Sequence, residues 1–136
     1  MGENLRQNSE AKPLCPFCRP DEAVLANSLA YARLDKFPVT PGHLLIIPLR
    51  HEPTFFGVNH EELKSIWALV VEAKALLDHK FQPDGYNLGV NVGQAAGQTI
   101  AHAHLHLIPR YRGDVPNPYG GVRGVIPTKQ HYEQET

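Results

Sequence analysis

The sequence predicts an α+β domain in which an antiparallel sheet carries one main helix on one of its faces. Short apolar runs that alternate like strands precede and follow a single long segment with helical spacing. The chain has 136 residues, of which 42% are hydrophobic and 20% charged, values typical of one globular domain. We expect this domain to span 13–136, after a polar, mobile tail over 1–12.

Four segments have the patterns of strands or strand pairs. Before the helix, Val24–Asp35 predicts one or two short strands, and the continuous apolar run His43–Pro48 predicts a buried central strand. Two prolines and a glycine make Phe37–Gly42 a loop. After the helix, Tyr86–Val92 and Ala101–Arg110 alternate and are predicted to be strands.

The predicted helix covers Asn59–Phe81. Asn59 is a suitable N-cap, and Glu62 follows three residues later, as in a capping box. Apolar residues recur at helical spacing up to Leu77, and the turn-forming run Pro83-Asp84-Gly85 ends the segment.

Composition excludes several classes of function. The net charge is −1, from 13 basic and 14 acidic residues, so no basic excess indicates nucleic-acid or membrane-surface binding. The longest apolar run, near Ile66–Leu77, contains Glu72 and Lys74, which argues against a membrane span. We see no secretory signal, and two cysteines are too few for a disulfide framework, so we expect a cytoplasmic protein.

Three histidines, His102, His104 and His106, occupy every second position of the last predicted strand. Alternate strand residues share a face, so the imidazoles form a row with roughly 6.5–7 Å between neighbours. A solvated edge strand would also present them together, but it rarely carries so many histidines. A shared metal is a second alternative, although the outer pair is too far apart for one tetrahedral ion unaided. The row suits one reacting histidine with a supporting neighbour on each side.

The loop before this row, Gly93–Thr99, contains only small, amide and hydroxyl residues. An ordinary hairpin connection would have a similar composition. Its backbone N–H groups, with the side chains of Gln98 and Thr99, would also donate to the oxygens of a phosphate. Because the loop leads into the histidines, we interpret His104 as a nucleophile that forms a phosphoramidate, with His106 on the phosphate. A backbone carbonyl would hold the second ring nitrogen of His104.

The segment Gln98-Thr99-x-x-His102-x-His104-x-His106-Leu107-Ile108-Pro109-Arg110 resembles the signature of the histidine-triad (HIT) family of nucleotide hydrolases and transferases. The upstream stretch Asp35–Pro48 (DKFPVTPGHLLIIP) is also similar to that family. Together the matches extend over Cys15–Arg110 in the family's order. The resemblance implies a homodimer in which two five-stranded antiparallel sheets join, with the helix or the strand after it forming much of the contact.

The resemblance also implies roles for individual residues. Asp35 would hold the ribose hydroxyls, although on its own it would be interpreted as a turn residue at a strand end. His43 would support the triad from behind. His104 would be the nucleotidylated side chain. The residues around its phosphate would be His102, His106, Gln98, Thr99, Gly97 and Asn91.

Cys15 and Cys18 form a C-x2-C unit. A redox pair would normally begin a helix in a βαβ context, and none follows here. Half of a zinc site is the second interpretation, and two reduced thiols without a metal are the third. In HIT relatives with such a unit, zinc takes further ligands from positions that match His51 and His102. The resemblance therefore implies a structural zinc on Cys15, Cys18, His51 and His102.

The predicted substrate is a dinucleoside polyphosphate. Gly97-Gln98-Thr99 and Leu107–Arg110 are more similar to the fragile-histidine-triad branch, which cleaves diadenosine polyphosphates, than to the other large branch. That other branch hydrolyses adenosine phosphoramidates and nucleotidyl-lysine adducts, and this activity is one alternative; a slow nucleotide-binding adaptor is another. Mg²⁺ can assist a polyphosphate substrate. Arg123 would neutralise the leaving group, or is simply a surface arginine.

Overall fold

The sheet has five antiparallel strands in the spatial order β1-β2-β3-β5-β4. The computed structural model describes residues 14–132, so the tail expected over 1–12 lies outside the described residues. The predicted α+β class and five-stranded sheet are confirmed. The strands are β1 (Leu25–Ala26), β2 (Ala30–Leu34), β3 (Leu44–Pro48), β4 (Gly85–Gly89) and β5 (Leu105–Arg110).

Helix α1 spans His60–Phe81 and connects the central strand β3 to the edge strand β4. The predicted capping box is present: the Asn59 side chain accepts from the Glu62 N–H at 2.8 Å, and the Glu62 carboxylate accepts from the Asn59 N–H at 3.0 Å. Gln82 ends the helix in the left-handed conformation, with φ 52°. Over residues 14–132, the structure contains no helix with the length and apolarity needed to cross a membrane.

The two faces of the sheet have different roles. Alternation places one set of side chains against α1, where they form the main core. The opposite face carries a smaller apolar cluster that includes Tyr31, Leu45 and Phe17, and Tyr31 donates to the Phe17 carbonyl at 2.6 Å. That bond fixes the turn bearing the two cysteines above the sheet. The main core consists of Ala30, Ala32, Leu44, Ile46, Ile66, Leu69, Val70, Ala73, Leu77 and Leu107.

Two strands are shorter than their sequence patterns predict. β5 begins at Leu105 rather than at Ala101, and β4 ends at Gly89 rather than at Val92. The register that pairs Ile46 with Leu105 would next oppose Pro48 to Ala103, and proline has no N–H to donate. The Ala103 N–H instead donates to the Glu52 carbonyl at 2.7 Å, which ends the ladder before the first two histidines.

The segment after β5 folds into two short 3-10 turns, Gly121–Val125 and Pro127–Lys129. Arg123 donates to the carbonyls of Lys129 and Gln130, and its guanidinium lies 4.9 Å from the centre of the Tyr132 ring. The expectation that Arg123 neutralises a leaving group is therefore not supported, because its side chain is held within its own segment.

Candidate active site

The three histidines of the row lie where the chain enters β5. His102 and His104 precede the strand, and His106 belongs to it. The rings of His104 and His106 are neighbours, with centroids 5.1 Å apart. His102 is fully buried and lies beside His51, at 5.0 Å between ring centroids. The row is thus present, but its first member faces a different set of partners.

Hydrogen bonding fixes the tautomer of His104. Its Nδ1 lies 2.8 Å from the carbonyl oxygen of His102. A carbonyl only accepts, so Nδ1 carries the proton and Nε2 keeps its lone pair. The edge of the Phe17 ring packs on the imidazole, at 4.9 Å between centroids. Backbone and aromatic contacts therefore orient the ring so that Nδ1 donates to the backbone and Nε2 is the nitrogen left for chemistry.

A chain of hydrogen bonds through His43 fixes the tautomer of His106. The Val39 N–H donates to Nδ1 of His43 at 3.2 Å, so the His43 proton is on Nε2. That nitrogen lies 3.0 Å from Nδ1 of His106, which must accept. Burial lowers the pKa of His43, and burial with the neighbouring His104 and His43 rings lowers the pKa of His106 to about 4. His106 is therefore neutral near pH 7 and carries a donating Nε2–H.

Asp35 lies beside this chain of hydrogen bonds. One carboxylate oxygen accepts from the Phe37 N–H at 2.8 Å. The other lies 3.4 Å from His43 Nε2 and 4.0 Å from His106 Nδ1. These three side chains are close enough to surround a metal ion. The His43 proton on Nε2 makes the group a hydrogen-bonded network instead, because a metal needs that lone pair.

The predicted metal ligands come together on the other side of His102. Its Nε2 donates to the Pro48 carbonyl at 2.8 Å, so the lone pair on Nδ1 faces the Sγ atoms of Cys15 and Cys18, at 3.4 and 3.5 Å. Nδ1 of His51 lies 3.2 Å from Sγ of Cys18. The four ligand atoms all lie within 4.8 Å of one another, and no disulfide joins the cysteines.

This donor set fits a closed tetrahedral site. Two thiolates and two neutral imidazoles form one of the common structural zinc sites. Burial lowers the pKa of His102 to about 4, which keeps its ring in the neutral form that a metal requires. The cluster of Cys15, Cys18, His51 and His102 can hold a metal ion.

The position of His102 corrects one expectation. Both of its ring nitrogens are engaged, with the Pro48 carbonyl and with the cysteine sulfurs, and the side chain is fully buried. Its imidazole is therefore not available to a phosphate. His102 instead contributes its backbone carbonyl, which accepts the hydrogen bond that orients His104.

The loop before the row is organised by Gln98. The Gln98 amide donates to the carbonyls of Pro53 and Ile100 at 2.6 and 3.0 Å, and its oxygen accepts from the Gly93 N–H at 3.0 Å. Gly97 closes a 3-10 turn with φ 91°, a conformation that favours glycine. The Gln98 side chain thus uses both of its amide hydrogens within the loop, and its contact with a phosphate stays a prediction.

Two further predicted residues flank the row. Thr99 is exposed and lines a cavity that it shares with Cys15 and His51, on the cysteine side of the site. Asn91 follows β4 two residues after Gly89, which pairs with His106. Continuing that register would bring Asn91 level with His104.

Sequence reasoning missed the backbone groups and one buried charge. The Pro48 carbonyl and the Val39 N–H decide two tautomers, and neither leaves a signal in side-chain spacing. Arg33 is 4% exposed on the same face as the row. The sequence did carry a signal for Arg33, because it is a charged residue inside the apolar strand Ala30–Leu34. Charged side chains are rarely buried unless they have a partner.

The sheet topology and the histidine row together are features that can be compared with those of known protein families. The profile of the HIT domain family matches residues 18–113. The chain belongs to the HIT family.

Several relatives in that family share about a third of their residues with this chain. An uncharacterized HIT-like protein of Mycoplasma pneumoniae is 37% identical over 113 residues, covering 79% of this chain and 78% of the relative. An AP-4-A phosphorylase of Mycobacterium tuberculosis is 34% identical, covering 79% of this chain and 59% of the relative. A bis(5'-adenosyl)-triphosphatase of Dictyostelium discoideum is 32% identical, covering 73% and 66%.

Solved structures agree in fold. A HIT family protein from Bacillus anthracis is 37% identical, with a TM-score of 0.70 over 75% of this chain and 77% of the other. A zinc-bound histidine triad family protein from Mycobacterium smegmatis is 30% identical, with a TM-score of 0.68 over 76% and 80%.

Proposed function

We propose that this chain is a nucleotide hydrolase that attacks the α-phosphate of a dinucleoside polyphosphate with Nε2 of His104. The observation that carries the proposal is the 2.8 Å hydrogen bond between His104 Nδ1 and the His102 carbonyl, which leaves the Nε2 lone pair available. The names of the relatives from Mycobacterium tuberculosis and Dictyostelium discoideum support the substrate class.

The reaction proceeds in two displacements. Nε2 of His104 forms a bond to phosphorus while the bond from phosphorus to the leaving phosphate oxygen breaks, and the leaving group departs with that electron pair. The positive charge that develops on the ring is stabilised through Nδ1–H by the His102 carbonyl. Water then attacks phosphorus while the bond from phosphorus to Nε2 breaks and its electron pair returns to the ring. The proton of the water passes to solvent, and the nucleoside monophosphate and His104 are released.

His106 and Asp35 complete the proposed site. The Nε2–H of His106, held in place through His43, donates to a non-bridging oxygen, where negative charge grows in the transition state. The carboxylate of Asp35 accepts from the ribose hydroxyls. In the proposed reaction Thr99, Gly97 and Asn91 border the phosphate, and Gln98 holds the loop that presents them.

We propose that zinc occupies the cluster of Cys15, Cys18, His51 and His102. Four protein ligands leave no open position, so the ion would have a structural role only. His102 connects this site to the nucleophile, because its ring would bind the metal while its carbonyl orients His104. Reduced cysteines of this kind fit the cytoplasm, the compartment that we propose.

We also propose a homodimer. Three large apolar residues form a stripe on α1 at intervals of four residues and remain exposed: Leu63 at 45%, Trp67 at 58% and Val71 at 55%. β4 lies at the edge of the sheet and follows α1 in the chain. An exposed apolar stripe on a helix and a strand at the edge of a sheet are both surfaces that association would cover.

Steady-state kinetics test the proposed reaction. We expect a higher kcat/KM for diadenosine tetraphosphate than for adenosine 5'-phosphoramidate, measured with and without Mg²⁺. His104→Ala should lower kcat by at least roughly 10⁴-fold, whereas His79→Ala, on the exposed end of α1, serves as the matched control. A preference for the phosphoramidate would contradict the substrate class, and nucleotide binding without turnover would favour an adaptor.

A further inference from the structure

A cavity of about 190 Å³ lies beside the histidine row. Its walls include the apolar residues Phe17, Phe37, Leu45 and Ile100, and the charged residues Arg33, Asp35 and Lys36 also line it. Phe17 also packs against His104, so one wall of the cavity is in contact with the proposed nucleophile. Flat aromatic and aliphatic walls suit the stacking of a nucleobase.

Arg33 stands at a defined distance from the phosphate position. In the register of the sheet, Arg33 on β2 is opposite Leu45 on β3, and Leu45 is opposite His106 on β5. Two strand spacings separate Arg33 from His106, which is roughly 10 Å. A nucleotide with its phosphate at His106 would therefore cross the sheet above Leu45 and bring the edge of its base to Arg33.

The hydrogen bonding of Arg33 is incomplete. Nη2 pairs with the carboxylate of Glu22, and the guanidinium lies 5.8 Å from the centre of the Phe17 ring. Among the described residues, Arg33 Nε is the one buried side-chain nitrogen or oxygen without a hydrogen-bond partner. A buried donor without an acceptor is unfavourable, so a ligand that supplies an acceptor is favoured there.

We infer that Arg33 is a specificity-determining residue that reads the edge of the nucleobase and favours guanine over adenine. The inference rests on the proposed function. Guanine presents two acceptors, N7 and O6, on the edge that an arginine contacts. Adenine presents N7 and an amino group, and that amino group would face the N–H groups of Arg33 with no acceptor between them.

Binding of nucleoside monophosphates to the full chain tests this inference apart from catalysis. In calorimetric titrations GMP should bind roughly tenfold more tightly than AMP, the lower end of what one arginine contributes on guanine. IMP shares O6 and N7 with GMP and should bind like GMP. Affinity for AMP equal to that for GMP, or IMP that behaves like AMP, would overturn the inference. If none of the three binds, the proposed function itself fails.

Variants identify the residue responsible. Arg33→Met keeps the apolar stem but removes the donors, and it should abolish the preference for GMP while leaving AMP binding close to wild type. Arg33→Lys keeps a cation beside Glu22 and should lose most of the preference as well, because lysine lacks the planar fork. Lys80→Met removes an exposed cation on α1, away from the cavity, and should keep the wild-type ratio. A preference that survives in both Arg33 variants would refute the assignment.

Discussion

Lowering the pH should destabilise the protein through His106. The pKa of His106 falls from 6.5 to about 4 on folding, mainly because of burial and then because of the His104 and His43 rings. Between these two values the unfolded chain binds a proton that the folded protein does not, so stability is lost as the pH falls. At pH 5 this linkage amounts to about 2 kcal/mol relative to pH 7.5, on the order of 1.36 kcal/mol per pKa unit.

The comparison with His106→Gln isolates this contribution. Urea unfolding followed by circular dichroism at pH 7.5 and pH 5 gives the free energy of unfolding of each protein. Wild type should lose about 2 kcal/mol more than the variant between the two pH values. Protonation of the other histidines and release of a bound metal affect both proteins, and His79→Gln controls for the loss of an imidazole. Equal losses in wild type and His106→Gln would refute the reasoning.

Three further perturbations test other parts of the structure. Glu62→Ala removes half of the capping box and one of the two carboxylate partners of Arg50, so the free energy of unfolding should fall by about 2 kcal/mol in urea titrations; an unchanged midpoint would contradict this. Cys18→Ser should bind no stoichiometric zinc by atomic absorption and should melt at a lower temperature, and full zinc content would argue against the four-ligand site. In the proposed homodimer, Trp67→Glu should shift the sedimentation coefficient from that of a dimer to that of a monomer, and a variant that remains dimeric would contradict an interface on α1.

Local signals in the sequence were sufficient for the helix and for most of the sheet. Asn59 and Glu62 form the capping box that their spacing predicts, because both partners lie within one turn. The run Leu44–Pro48 is buried at every position, as a central strand requires. The four predicted metal ligands come together as the family resemblance implies, and the histidine row lies within the long motif that predicts it.

Contacts between distant segments account for what the sequence could not predict. The start of β5 depends on Pro48, which lies more than fifty residues away and cannot donate across the sheet. Gln98 satisfies Pro53, Ile100 and Gly93 rather than a phosphate, and no spacing rule distinguishes these partners. The orientation of His102, with Nδ1 toward the cysteines, follows from the bond between its Nε2 and the Pro48 carbonyl, a contact that forms only in the folded chain.

The stereochemical course at phosphorus tests the central claim most directly. A dinucleoside polyphosphate with a chiral phosphorothioate at the α-position is hydrolysed in ¹⁸O-labelled water, and the configuration of the released nucleoside phosphorothioate is determined. Two in-line displacements, first by Nε2 of His104 and then by water, invert the centre twice, so the account predicts overall retention. Inversion would show direct attack by water and would contradict a covalent intermediate on His104.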